Sequence, residues 1–462
     1  MVIRSQFALR FFAPLLCILL LLLTACSASP VGSGGQSTPT AVPGTSTPAA
    51  STATPAQTVA MPQTQTACPA ANAARAAVMR PLVLGNHANL VYIYNEVPQN
   101  TSTAYGHLRR YDTTTSQKID IATSGVQILQ AQVSNDGQWV LFLSQPGGAA
   151  VVMLQLVRMD GQGLQTLLCL PYSGSGGAPL SSPAISFQWS VDQQSILLSD
   201  DTLDATTNKA TSTISLLNVA TGTLKTLFQD QADDLYTYSM VTWLDNTHAY
   251  IVKQGTEGPT PPETVFLLNT ATATVAQPGL VTILTSPTRF SNNSLDSSFD
   301  GTQLYSSYCL QAASPFTTNI QAGPAMGGTR HTIFQEQPAD CIQMVRAISP
   351  TTLLLMVVVS NSTGGSTQTW TMSLPGGAMH TLATLTSAVP GGSDQSYALN
   401  QTSQYPWSNV SRDGGTYALQ EIDSTAQTQS ILAASLNGGA PTSVATTNPG
   451  TSTVSLAGWT TM

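Results

Sequence analysis

Six aspartates stand out in a chain with only 23 acidic residues among 462: Asp200, Asp201, Asp204, Asp230, Asp233 and Asp234. Clustered carboxylate oxygens are the chemistry of a calcium site. Their spacing matches no EF-hand loop, however, and acidic loop tips are commonly just solvated, so both readings stand. Cys68, Cys169, Cys309 and Cys341 match no zinc spacing and are open to disulfide formation. No two of His87, His107, His248, His331 and His380 have metal-ligand spacing, which leaves them as surface or strand-end residues. The chain has no Gly-x-Ser-x-Gly elbow, no His-Glu-x-x-His and no Gly-x-x-x-x-Gly-Lys phosphate loop. A triad scattered over several elements would escape that search, because triads are defined by geometry.

Whether any of these side chains meet depends on the elements that carry them. Charged residues make up 8% of the chain, against about 25% in an average domain. Threonine-rich, charge-poor sequence of this kind favours strands. One unit recurs: an apolar strand, a Ser-x-Asp-Gly-like turn, a strongly apolar strand, and two further strands joined by Gly- or Asn-rich turns. The turn reads Ser134-Asn135-Asp136-Gly137, then Ser190-Val191-Asp192-Gln193, a shortened Leu244-Asp245-Asn246, Ser298-Phe299-Asp300-Gly301, Ile348-Ser349-Pro350 and Ser411-Arg412-Asp413-Gly414. Copies recur every 49 to 62 residues, the longest interval separating Ser349 from Ser411. Asp or Asn with Gly accepts a positive φ and marks a hairpin. Runs such as Trp139–Leu143 and Leu353–Val359 lack alternation and fit strands covered on both faces.

First-strand segments are expected near 126–134, 183–190, 238–244, 290–298, 342–349, 403–411 and 453–460. Second-strand segments are expected near 89–95, 138–144, 195–200, 248–254, 303–309, 352–359 and 415–421. The N-terminal unit lacks its first strand and the C-terminal unit has only that strand, so pairing the two completes one blade and closes a ring. The expectation is an all-β, seven-bladed propeller over residues 80–462. The Trp/Val-Ser-x-Asp-Gly unit resembles the TolB-type, WD40-like propeller repeat. That resemblance implies protein partnership in a cell envelope, but the additional N-terminal domain of that family has no counterpart here.

Alternating strand direction puts the loops after the second and fourth strands of each blade on one face. On that face Cys309 and Cys341 are placed to pair, leaving Cys68 with Cys169. The same logic groups the six aspartates in same-face loops of the third blade. Trp189, Trp243 and Trp459 occupy equivalent first-strand positions, suited to packing between blades or to lining a channel mouth.

The N-terminus carries an address. Arg4 and Arg10 precede the apolar run Phe11–Leu23, and Leu23-Thr24-Ala25-Cys26 follows. The run falls short of the roughly 20 apolar residues that span a bilayer. The tetrapeptide resembles the lipobox of bacterial lipoproteins. This implies a signal peptide over 1–25, cleavage before Cys26, and a diacylglyceryl (palmitate-type) anchor on Cys26, since two or three acyl chains hold a membrane where one does not. An uncleaved anchor and an ordinary signal peptide are the alternatives. Residues 26–66, rich in Ser, Thr, Pro and Ala, have too few large apolar side chains to order and read as a linker. The net charge of −8, more negative once Arg4 and Arg10 are removed, argues against nucleic acid.

Together these features suggest a monomeric, extracytoplasmic, membrane-anchored propeller that binds envelope protein or glycan and needs no cofactor. The alternative is a hydrolase-, lactonase- or lyase-type enzyme with its site at the mouth of the central channel. An accessory subunit of a membrane system is a third reading that sequence cannot separate from the first.

Overall fold

Trp139–Leu143 is apolar at every position, and the strand it forms is covered on both faces. Successive side chains on a strand point to opposite faces. Val140 and Phe142 therefore pack with Val91 and Ile93 on one side, while Leu141 and Leu143 pack with Ile185, Phe187 and Ile196 on the other. The same division recurs around the molecule. Among the described residues the buried apolar side chains fall into seven clusters, one between each pair of neighbouring sheets, rather than one central core. Each fully buried Leu, Ile, Val or Phe contributes about 1.5–3 kcal/mol.

The coordinates are a computed structural model. It describes residues 67–70, 72, 81–97, 104–145, 151–171, 185–204, 209–231, 236–255, 264–285, 294–310, 317–336, 340–361, 364–375, 377–386, 395–400 and 405–462. The leader, Cys26, the linker through residue 66, Asp233 and Asp234 lie outside them. Among the described residues no helix is long and apolar enough to cross a membrane.

Among the described residues, twenty-eight strands form seven antiparallel four-stranded sheets, numbered here as blades in chain order. Blade 1 contains β1 (Ala88–Glu96), β2 (Tyr105–Asp112) and β3 (Lys118–Ser124). Blade 2 contains β4 (Gln127–Val133), β5 (Trp139–Gln145), β6 (Val151–Arg158) and β7 (Gln165–Pro171), and blade 3 contains β8 (Ile185–Trp189), β9 (Ser195–Asp204), β10 (Lys209–Asn218) and β11 (Leu224–Gln231). Blade 4 follows with β12 (Tyr236–Trp243), β13 (His248–Gly255), β14 (Thr264–Asn269) and β15 (Leu280–Thr285). Blade 5 has β16 (Ser294–Ser297), β17 (Gln303–Leu310), β18 (Thr317–Pro324) and β19 (His331–Glu336). Blade 6 has β20 (Asp340–Ser349), β21 (Thr352–Asn361), β22 (Gly364–Ser373) and β23 (Met379–Thr386). Blade 7 has β24 (Gln395–Ala398), β25 (Thr416–Asp423), β26 (Thr428–Ser435) and β27 (Thr442–Thr446). The last strand, β28 (Ser452–Thr461), returns to blade 1 and pairs with β1 from Ala88↔Thr461 to Glu96↔Ser452. The ring thus closes through the two ends of the chain, as a seven-bladed β-propeller.

The recurring turn is a structural device. In blade 2 the Ser134 hydroxyl donates to Asp136 (2.6 Å) and accepts from the Trp139 N–H, while Asp136 accepts from the Gln138 N–H. Ser190/Asp192, Ser298/Asp300 and Ser411/Asp413 repeat the pattern. The fourth position is left-handed, at Gly137 (φ 76°) and, without glycine, at Gln193 (φ 62°).

One first strand departs from expectation. The described part of 403–411, residues 405–411, does not form it; β24 covers 395–398, and of these residues only Val410 rejoins the ladder, opposite Tyr417. Ahead of Val410, residues 405–409 lie outside the sheet and include a short 3-10 turn at Pro406–Ser408. The Tyr405-Pro406-Trp407 sequence is the reason: proline lacks the N–H a ladder needs.

Candidate functional site

The first strands β4, β8, β12, β16, β20, β24 and β28 meet around the axis, so whatever occupies the central channel is set by them. Just ahead of the turn at the end of each blade's first segment stand Gln132, Gln188, Thr242, Asp296, Arg346, Asn409 and Gly458. Six carry polar side chains, all buried. Gln132 Oε1 accepts the Trp189 N–H (3.0 Å), Gln188 Oε1 accepts the Trp243 N–H (3.2 Å), and Asp296 Oδ2 accepts the Ala347 N–H (2.6 Å). These three side chains stitch blades 2, 3 and 5 to the blades that follow them. Burial pushes the Asp296 carboxyl up to about 6 against the opposing pull of Arg346, whose Nη1 lies 3.3 Å from Oδ1.

The segment that leaves blade 7 crosses this axis. Tyr405 Oη donates to the Ser190 carbonyl of blade 3 (2.7 Å), on the far side of the ring. Arg346 of blade 6 donates to Ser408 Oγ (3.2 Å), and Trp459 Nε1 of blade 1 donates to the Asn409 carbonyl (3.1 Å). Arg412 donates to the Ser134 and Asn135 carbonyls of blade 2 (both 3.0 Å) and to that of Trp459 (3.3 Å). Its guanidinium lies over the Trp407 ring at 4.7 Å, and Trp407 stacks on Tyr405 at 5.5 Å. Burial lowers the Arg412 pKa to about 10. Asn400 and Asn409 hold the base of the excursion through paired amide contacts. Two glycines make room. A Cβ on Gly137 would meet the Arg412 guanidinium at 2.9 Å, and one on Gly458 (φ 140°) would meet the Trp407 carbonyl at 3.2 Å. Tyr405, Trp407 and Arg412 thus bar the channel at the end where the Ser-x-Asp-Gly turns emerge. The long Ser349–Ser411 interval was the one sequence signal for this insertion.

Asp200, Asp201, Asp204 and Asp230 are strand residues, which corrects their placement in same-face loops. Strand β9 stays paired with β10 through Asp204↔Lys209, so Asp200, Asp201 and Asp204 belong to the ladder. Asp200 and Asp201 consequently face opposite sides of the sheet. Asp201, Ser212 and Asp230 lie at one level of β9, β10 and β11. Ser212 Oγ donates to Asp201 (2.6 Å) and accepts the Tyr238 N–H of blade 4 (3.1 Å). Burial, and then the neighbouring Asp201, raise the Asp200 pKa to about 6. Among the described residues no three His, Cys, Asp or Glu side chains converge as metal ligands; Asp233 and Asp234 lie outside them.

Cys68 and Cys169 are joined by a disulfide that fastens the segment ahead of β1 to β7 of blade 2. Cys341 is also disulfide-bonded. It lies inside β20 rather than in the loop expected after the fourth strand of blade 5, because β20 begins at Asp340; Cys309 lies in β17. His87 pairs with Asp112 (3.0 Å) and His248 with Asp245 (2.9 Å). His107 lies between Asp120 (3.4 Å) and Glu96 (3.7 Å), and Arg109 donates to the same Asp120 (2.6 Å). Burial raises the Asp120 pKa, but hydrogen bonds from His107 and Arg109 outweigh it and hold the carboxyl low. Each of these histidines has a carboxylate partner within its own blade. Trp189, Trp243 and Trp459 are buried between blades, and each indole N–H donates to a backbone carbonyl.

No protein-family model and no curated protein matches the chain in sequence. Among solved structures it is similar to a prolyl endopeptidase, with 12% identity and a TM-score of 0.50 over 81% of this chain and 50% of that one. It is also similar to a TolB from Agrobacterium tumefaciens (15% identity, TM-score 0.38, 76% of this chain and 99% of that one). A third is an oligogalacturonate lyase in complex with manganese (10% identity, TM-score 0.44, 75% and 85%). The chain spans about half the length of the prolyl endopeptidase. At these identities the likeness concerns fold alone: the chain is a seven-bladed β-propeller, and its structural neighbours include a TolB and propeller enzymes.

Proposed function

We propose that this chain is a lipid-anchored, extracytoplasmic module that binds a protein or glycan without altering it chemically. The observation that carries this reading is the bar of Tyr405, Trp407 and Arg412 across one channel mouth. A channel-mouth enzyme needs an opening where acids and bases converge on a substrate. At the turn end that space is filled by side chains bonded to blades 1, 2 and 3. A rigid ring that presents loops from every blade suits recognition. Cys26 would hold the module at the membrane and residues 27–66 would give it reach.

The test is affinity isolation of the full-length chain from intact, cross-linked envelopes. One protein or glycan recovered reproducibly is the expected result, with Cys26→Ser releasing the chain from the membrane fraction. Turnover of proline-containing peptides or oligogalacturonides by the purified chain would overturn the reading. So would failure to recover any partner.

A further inference from the structure

Most apolar side chains of this molecule are hidden between blades, and the exceptions are unevenly placed. Of the eight large apolar residues exposed among the described residues, four lie on blades 4 and 5: Val275 (50%), Val281 (57%), Phe299 (50%) and Met326 (50%). Three of the four belong to turns at the Ser-x-Asp-Gly end. Phe299 lies in the first turn of blade 5, Met326 in the turn joining β18 and β19, and Val275 in the turn joining β14 and β15.

These positions are physically joined. The Ala325 N–H, next to Met326, donates to the Thr302 carbonyl, and the Thr302 N–H donates to Asp300 beside Phe299. A Cβ on Gly327 would sit 3.1 Å from Ile283 Cγ2, which places the Met326 turn against the outer strand of blade 4 that carries Val281. Val281 pairs with Leu267, a member of the cluster between blades 4 and 5, so its side chain is on the face turned toward blade 5. In blade 4 the Thr270 N–H donates to the Thr247 carbonyl, which ties the Val275 turn to the turn of Asp245.

Two carboxylates stand beside these residues, Asp300 and Asp245, the latter also in contact with His248. Asp300 and Asp245 both have lowered pKa values. For Asp300 the main cause is the hydrogen bonds from Ser298 and Thr302; for Asp245, burial raises the pKa but the turn's hydrogen bonds outweigh it. Arg330, at the end of the turn that carries Met326, is turned inward onto the Leu304 carbonyl and Ser306 Oγ. An apolar patch beside fixed negative charge disfavours an anionic lipid surface. It also disfavours a second copy of this chain, which would bring like charges together. Uncovered large apolar side chains gathered at one junction are the kind of feature that marks an interaction surface.

We propose that the junction of blades 4 and 5 at the turn end is a docking site for a protein segment that places an apolar side chain between lysines or arginines. This rests on the binding-module reading and specifies its partner. Phe299, Met326 and Val281 form the apolar contact, and Asp245 and Asp300 hold the flanking cations.

The test introduces a photo-reactive phenylalanine analogue at position 326 of the full-length chain in intact cells, with position 422, exposed on blade 7, as control. The expected result is a discrete protein adduct from position 326 and none from 422. The cross-linked partner peptide should carry Lys or Arg within a few residues. Met326→Gln with Val281→Thr, read by the same analogue at position 299, should lower the yield about tenfold, and Asp245→Asn with Asp300→Asn several-fold. Unchanged thermal unfolding of these variants separates loss of contact from loss of fold. An adduct to lipid, to a second copy, or to a peptide without basic residues would overturn the proposal. So would a yield indifferent to the substitutions. A partner captured only from position 422 would overturn the patch and leave the binding module standing, whereas no partner from either position or by affinity isolation would overturn both.

Discussion

The first strands of blades 3 and 7 are built from the same repeat and end in the same turn, yet they do different work. In blade 3, Ile185–Trp189 runs unbroken into Ser190, and Gln188 fastens the strand to blade 4. In blade 7 the strand stops at Ala398 and resumes only at Val410. The residues between them reach blades 1, 3 and 6, and Arg412 just beyond them reaches blade 2. At equivalent positions Gln188 makes bonds between neighbours, whereas Asn409 holds the foot of a crossbar. A propeller needs each first strand for packing against its two neighbours, but it does not need every one to be continuous. An interruption can be tolerated where the departing segment finds partners for its polar groups.

That contrast can be broken most severely at blade 6. Arg346→Ala removes a guanidinium that is 2% exposed and serves both Asp296 and Ser408. It should cost about 3–5 kcal/mol, because it strands a buried carboxylate. Urea unfolding measures it, and a loss below about 1 kcal/mol would mean that crossbar and ring are not coupled there. Gln188→Ala should cost about 1–3 kcal/mol by leaving the Trp243 N–H unpartnered. A larger loss than that of Arg346→Ala would reverse the proposed ranking of the two regions.

Tyr405→Phe isolates the longest reach of the crossbar, its bond to the Ser190 carbonyl. The expected cost is about 1 kcal/mol, and Trp407 fluorescence should report looser stacking. No change in either would show that the contact across the ring is incidental. The smallest effect concerns blade 3. The folded state raises the Asp200 pKa to about 6. Below the carboxyl's unfolded pKa both states hold the proton and no penalty exists. As pH rises toward 6 the unfolded chain ionises first, and stability falls. Asp200→Asn should therefore gain on the native chain in melting temperature between about pH 4 and 6.5 and run parallel above that. A constant difference across that range would show that Asp200 is not shielded.

Much of the ring was legible because its signals are local. Ser134, Asp136 and Gly137 bond within one turn, so their types and order reveal the turn. Trp139–Leu143 is apolar throughout because both faces of its strand are covered, and that too can be read from five letters. The crossbar was not legible in this way. Tyr405 contacts Ser190 and Arg412 contacts Ser134, partners that lie more than 200 residues away in the chain. The aspartates misled for a related reason. Their proximity in sequence suggested a common site, but extension of β9 turns Asp200 and Asp201 to opposite faces.

The order of the letters alone determined the number of repeats, their turns, and the complementary ends that pair as β1 and β28, because each depends on a few neighbouring residues and on period-two alternation. Which residues occupy the axis, which carboxylates are shielded, and where apolar side chains remain uncovered were decided only by closing the ring. Closure brings strands from distant blades within a few ångströms of one another, and those distances have no counterpart in chain separation.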